Sequence, residues 1–270
     1  MRETVVLAGH SLRRLRGLVL LMGALMAGFQ VLLALAAATL YKTGTFNQLV
    51  AFVPPLVREV IGPSFFAVMS YTGVVTVGYF HFAVTAALVA LAIGVGTEPA
   101  GEVERAFADL ILSRPVTRSA VVSRTALVLL VTSTFLILMM LAGTWVGIWW
   151  IAPRDVARPA PRLILSLALS LWTVTLSWGG LAAAVAASSR RRIAAGSLTG
   201  LAALALYLLD YLARFWKPAE SFSWLSPFHY YSGLELIVGR SLPLENILIL
   251  LGTCAAGFGV AYTLFTRRDL

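Results

Sequence analysis

Charge is what this chain has least of: Asp, Glu, Lys and Arg make up 12% of its 270 residues, about half the share of an ordinary soluble domain. With 59% hydrophobic residues and a mean hydropathy of +0.87, too little polar surface remains to clothe a water-soluble fold of this length. Cysteine is reduced to Cys254, inside an apolar run, so an internal disulfide is excluded. Lysine occurs only as Lys42 and Lys217, and neither follows a glycine as a phosphate-binding loop requires. ATP therefore has no site of that kind here. The histidines His10, His81 and His229 are far apart, and neither a His-Glu-x-x-His pair nor a Gly-x-Ser-x-Gly elbow occurs. Glu98, Glu102, Glu104 and Asp109 are the one local group of acids, and their spacing suits an exposed helix face better than a metal cage. Ion-coupled carriers keep ionisable groups inside their spans. Here the apolar runs hold His81, with Asp210 and Arg214 near one end as a pairable i, i+4 couple, which is no proton relay.

What the chain has is apolar length. About 20 such residues cross a bilayer, and six runs qualify: Leu18 to Leu40, Phe66 to Val95, Ala120 to Trp150, Leu163 to Ala187, Ile193 to Ala213 and Ile247 to Phe265. No length is left for a separate soluble domain, so 1–270 reads as one all-α transmembrane domain with six transmembrane helices. Of the 21 Lys and Arg, thirteen fall on the side of the N-terminus and eight on the other. The excess, with Arg190-Arg191-Arg192 in one tight turn, predicts a cell-membrane protein with both termini cytoplasmic. The net charge of +9 is spread over the ends of apolar runs rather than gathered in an aromatic-interleaved patch, so anionic lipid head groups, not nucleic acid, are the expected partner. Ahead of the first span, Val5, Leu12, Leu15 and Val19 share a helix face opposite Arg2, Arg13 and Arg16, which predicts an amphipathic interfacial helix over 1–16.

Three connecting segments are more than loops. Between spans 2 and 3, Glu98 to Arg124 is a charged island in which Val103, Phe107, Leu110 and Ile111 recur at i, i+4, i+7 and i+8. They form one apolar stripe, with Glu102, Glu104, Arg105 and Asp109 facing away from it. Arg114, Pro115, Thr117 and Arg118 end that helix, making 98–119 a cytoplasmic segment able to meet a soluble partner. Between spans 1 and 2, Leu49, Phe52, Val53, Leu56, Val57, Val60 and Ile61 predict an outer interfacial helix interrupted or begun by Pro54-Pro55. Before span 6, the segment 215–246 carries Trp216, Trp224, Tyr230 and Tyr231, residues suited to a water–lipid boundary, and an apolar patch too short to span. A short re-entrant or interfacial element is expected there.

The run Asp109-Leu110-Ile111-Leu112-Ser113-Arg114-Pro115-Val116-Thr117-Arg118, preceded by acids, resembles the cytoplasmic segment of the type-2 ATP-binding-cassette (ABC) exporter permeases, although Ala106-Phe107 stands where that family usually has Gly-Thr. Leu225-Ser226-Pro227-Phe228 is similar to the family's outer signal, and the basic N-terminal segment and the ending Phe265 to Leu270 match its general plan. The resemblance implies a transport subunit, not an enzyme, that binds no cofactor itself while a partner ABC ATPase subunit uses ATP. It also implies a second permease chain, as a homodimer or with a sister subunit. The 98–119 segment becomes a coupling helix, with Val103, Phe107, Leu110 and Ile111 in a groove of the ATPase and Glu102, Glu104, Arg105 and Arg118 at its rim. His81 is a candidate for the translocation path. Export is the implied direction, and the sparse charge of the spans favours a lipid-like, drug-like or peptide cargo over a small ion. Two other classes remain open at this point: an integral membrane enzyme acting on lipids, and a non-transporting scaffold with a cytoplasmic docking helix.

Overall fold

The structure is a computed structural model that describes residues 2–46, 67–104, 118–231 and 233–267. The predicted interfacial helix around Leu49 to Ile61 lies outside these residues. The described residues form helices and no strand, and six helical stretches are long and apolar enough to cross a membrane. The chain is thus an all-α, multi-pass membrane protein.

The first span is part of α1 (Arg2–Lys42), one unbroken helix of 41 residues. At about 1.5 Å per residue it reaches roughly 60 Å, twice the ~30 Å hydrocarbon core. The expected interfacial helix over 1–16 is therefore not a separate element but the protruding start of α1. Leu12, Leu15 and Val19 do share a face, but it packs toward the core of the bundle rather than lying on a lipid surface, and Val5 faces outward. No proline or glycine pair interrupts the sequence at Arg16-Gly17-Leu18, so nothing bends the helix there.

The second span is broken. After α2 (Tyr71–Thr76) the chain tightens into a 3-10 turn (Val77–Tyr79), then restarts at α3 (Phe82–Gly96). Two local caps make this possible: the Ser70 hydroxyl accepts from the Gly73 N–H at 3.0 Å, and the His81 Nδ1 accepts from the Ala83 N–H at 3.3 Å. α4 (Glu98–Glu104) follows after one residue, Thr97, and α5 (Arg118–Val146) forms the third span, ending in a π-helical turn over Gly147–Ile151. α6 (Pro161–Ser188) and α7 (Arg192–Ala213) are the fourth and fifth spans, and α10 (Leu244–Arg267) is the sixth.

α6 is the axis of the bundle. Of its most apolar stretch 72% is buried, against 17% for α7. Its small residues explain how: a Cβ on Gly180 would meet the Cys254 backbone of α10, one on Gly257 would meet the Gly180 backbone, and Gly96 of α3 lies against Gly179 and Ala182. Close approach of backbones through small residues is the usual source of helix association in lipid. Gly143 of α5 meets Ala27 of α1 in the same way.

The six crossings leave two unlike ends. One, here the basic end, gathers Arg13, Arg14, Arg124, Arg192 and α4. The other carries exposed Trp149, Trp150, Phe215, Trp216 and Trp224, an aromatic belt, with Arg158 stacked over Trp149 at 5.4 Å. There the chain runs from α7 through α8 (Lys217–Glu220), two 3-10 turns (Ser223–Leu225 and Pro227–Tyr230) and α9 (Gly233–Ile237).

Candidate functional site

At the basic end the site is built on α4, a helix of seven residues lying across the base of the bundle. Ala100 packs against Ala186 of α6 and Ala195 of α7, all three fully buried, and with only methyl groups between them α4 sits close. That docking turns Pro99, Ala100, Gly101 and Glu102 inward.

Glu102 is 6% exposed and ion-paired with Arg124 of α5, itself 3% exposed. This corrects the exposed-face expectation. The stripe spacing describes an isolated helix, whereas the helix is turned by its alanine contacts so that the face holding Glu102 is the buried one. Val103 is also drawn in, partly buried against Val121, Val122 and Phe265. Glu104 remains exposed, but its carboxylate accepts the Arg192 N–H at 2.8 Å and so caps the start of α7. Arg105, Phe107, Leu110 and Ile111 lie outside the described residues. Arg118 begins α5, and its side chain lies outside them too.

The residue that the stripe reading passed over is Glu98. Its carboxylate meets Arg14 of α1 at 3.2 Å and Arg192 of α7 at 2.9 Å. Arg192 also donates to the Gly94 carbonyl at 2.9 Å, tying α7 to the end of α3. Three acids of one short helix thus join α1, α5 and α7. A signal existed in the sequence, since arginines open the third and fifth spans and an acid-rich island follows the second. Which acid meets which arginine depends on how the spans are arranged around α6.

At the aromatic end, Ser226 of the Leu-Ser-Pro-Phe run is fully buried. Its hydroxyl donates to the Leu206 carbonyl at 3.0 Å and accepts from the Phe228 N–H at 3.2 Å, while Pro227 starts the 3-10 turn. Phe228 then inserts between Trp178 of α6 and Tyr207 of α7, with ring centroids at 5.5 and 5.4 Å. Tyr231 points inward and donates to the Tyr79 carbonyl at the break in the second span. Burial pushes its phenol above the ordinary tyrosine range.

This anchoring shapes a groove between α3 and α7. A polar mouth of about 460 Å³ is bordered by Asp210, Arg214, Glu220, His229 and Glu235. An apolar pocket of about 180 Å³ shares Phe82, Thr85, Tyr207 and Phe228 with it. Asp210 holds Arg214 at 3.2 Å as the i, i+4 spacing suggests, and His229 stands 3.7 Å away on its other side. His81 caps α3 beside this groove on an exposed face, edge-on to Phe29 at 5.6 Å. Among the described residues no group of His, Cys, Asp and Glu has the arrangement of a metal site.

Compared with known proteins, the chain matches no family model, and no curated protein aligns with it.

Proposed function

We propose that the chain is the permease subunit of an ATP-driven transporter of the type-2 exporter kind, forming half of a translocation path with a second permease chain and powered by a separate ATPase subunit. The observation that carries this reading is the triple attachment of α4: Glu98 to Arg14 and Arg192, Glu102 to Arg124, and Glu104 to the start of α7. A push on the connected segment 105–117 reaches three spans at once. Such linkage is what a coupling element needs, because a partner drives a two-state change only by contacting the two states differently.

In this reading both termini and α4 are cytoplasmic, in a cell membrane, and the protein exports its cargo. Phe107, Leu110 and Ile111 enter the ATPase groove, and Arg105 and Arg118 contact its rim. Glu102 and Val103 belong to the permease side of the joint, since both are turned into the bundle. The second chain covers the outward face of α7, where Leu201, Leu204, Leu208 and Tyr211 are exposed. With that face covered, the α3–α7 groove and His81 border the path between the two chains.

Purification of the tagged chain from its native membrane in mild detergent tests the proposal. Recovery of a stoichiometric ATP-hydrolysing subunit, lost in Phe107→Asp while the variant still inserts, is the expected result. A chain recovered with no ATPase overturns it.

A further inference from the structure

A cavity of about 420 Å³ lies at the basic end between α1 and α3, closed behind by α5. Leu15, Leu18 and Met22 of α1 face Ala87, Leu91 and Val95 of α3 across it, one helical stripe against another. At its head the lining changes to Glu98, Arg124 and Arg192. Arg124 is 3% exposed, and while one guanidinium nitrogen serves Glu102, its Nη2 has no hydrogen-bond acceptor among the described residues. A buried donor left unmade is costly. A cavity beside it, apolar over most of its length and cationic at one end, has the profile of an amphiphile with an acceptor-rich anionic head.

We infer that this cavity is a binding site for one anionic phospholipid, whose phosphate sits against Arg124 and Arg192 at the head, where a small turn of the Arg124 side chain presents Nη2 to it, and whose acyl chain lies between α1 and α3. Charge complementarity selects the anionic class. Exposed Arg13, Arg16, Arg190 and Arg191 add positive charge around a head whose acids, Glu98 and Glu102, are already engaged by arginines. The apolar stripes select a membrane lipid over free phosphate, because a small anion leaves the rest of the cavity empty. Leu18 is exposed at the rim, so a chain enters sideways from the bilayer. The site does not depend on what the protein transports. A lipid there would bridge the two spans beside the Glu98 junction.

Gly94 offers a test that spares the fold. It lines the cavity, and a Cβ added to it meets nothing within 4 Å. Gly94→Leu fills the space, whereas Arg124→Gln alone strands Glu102 and risks misfolding. The double variant Glu102→Gln/Arg124→Gln removes both buried charges and keeps the apolar walls. The full chain, stripped of lipid in mild detergent, is titrated with phosphatidylglycerol, phosphatidylcholine or inorganic phosphate, and retained lipid is counted by native mass spectrometry. Wild type retains one phosphatidylglycerol in preference to phosphatidylcholine by about fivefold or more, on the scale of one arginine–lipid attraction, and inorganic phosphate does not compete. Gly94→Leu loses retention of both lipids, and the double variant loses the preference. Equal retention of the two lipids by wild type, competition by phosphate, or an unchanged preference in the double variant overturns the inference. The double variant decides the matter even if Gly94→Leu does not elute as a single species.

Discussion

The Glu102 carboxylate and the Arg124 guanidinium, each more than nine-tenths buried, meet where α4 docks on α5. An ion pair at such depth contributes little net stability relative to apolar residues of the same shape, but removing one partner is expensive. The pair therefore fixes the placement of α4 more than it strengthens the bundle.

Glu102→Gln strands the Arg124 charge and is expected to cost about 3–5 kcal/mol. Thermal unfolding in detergent reads this as a large loss of Tm. Adding Arg124→Gln to a Glu102→Gln background restores most of it, and failure of that rescue argues against the pair as the source.

Glu98→Gln weakens the pairs to Arg14 and Arg192, which are at least partly open to solvent, so its stability cost is small, within about 1 kcal/mol. On the proposed transporter function, its effect on coupling is larger: an ATPase subunit is expected to co-purify as before, while cargo-dependent ATP hydrolysis falls. Unaltered coupling in this variant would remove Glu98 from the force path.

Gly257→Leu drives a side chain into the Gly180 backbone, and α6 and α10 have to separate. Overpacking of this kind costs about 1–3 kcal/mol or more. Gly94→Ala is the control, since its Cβ meets open space and alanine favours a helix over glycine by up to ~1 kcal/mol. Chemical-denaturant midpoints of the two variants should move in opposite directions.

Ser226→Ala removes a buried donor to Leu206 and the cap of the following 3-10 turn. A loss of about 1–2 kcal/mol is expected. It should be concentrated in the aromatic-end segment, so amide hydrogen exchange over 217–231 rises while exchange in α6 stays slow. Uniform acceleration across the chain would point to a global role instead.

Tyr231 supplies a pH dependence. Burial raises its phenol above the ordinary value of 10.0 in the folded chain, so folding favours the protonated form. Its contribution is fully present below about pH 10 and is lost as pH climbs beyond it. Melting curves taken from pH 9 to pH 11 should show a steeper loss for wild type than for Tyr231→Phe. Parallel curves would mean that the hydroxyl is not held as described.

Much of the architecture is legible in the sequence because a bilayer simplifies the problem. A run of about 20 apolar residues has no alternative to a helix in lipid, where every backbone group needs an internal partner. The boundaries of the fourth to sixth spans accordingly agree with the helices to within a few residues. The small residues of the fourth span are where helices approach closely, with Gly179, Gly180 and Ala182 as contact residues. The Asp210–Arg214 couple is equally direct, being set by helical spacing alone.

Tertiary structure decided what spacing cannot express. Whether Glu102 faces water or Arg124 depends on the rotation of α4, which the contacts of Ala100 with Ala186 and Ala195 impose from two other helices. The break at Val77–Tyr79 carries no proline and is held by distant groups, with Gln30 of α1 against Gly78 and Tyr231 on the Tyr79 carbonyl. Local sequence determined which segments enter the membrane as helices, because desolvation of the backbone acts residue by residue. The partners of Glu98, Glu102 and Tyr231 were decided by the arrangement of the helices around α6, because ion pairs and hydrogen bonds across a bundle exist only once side chains far apart in the chain are brought within about 3 Å.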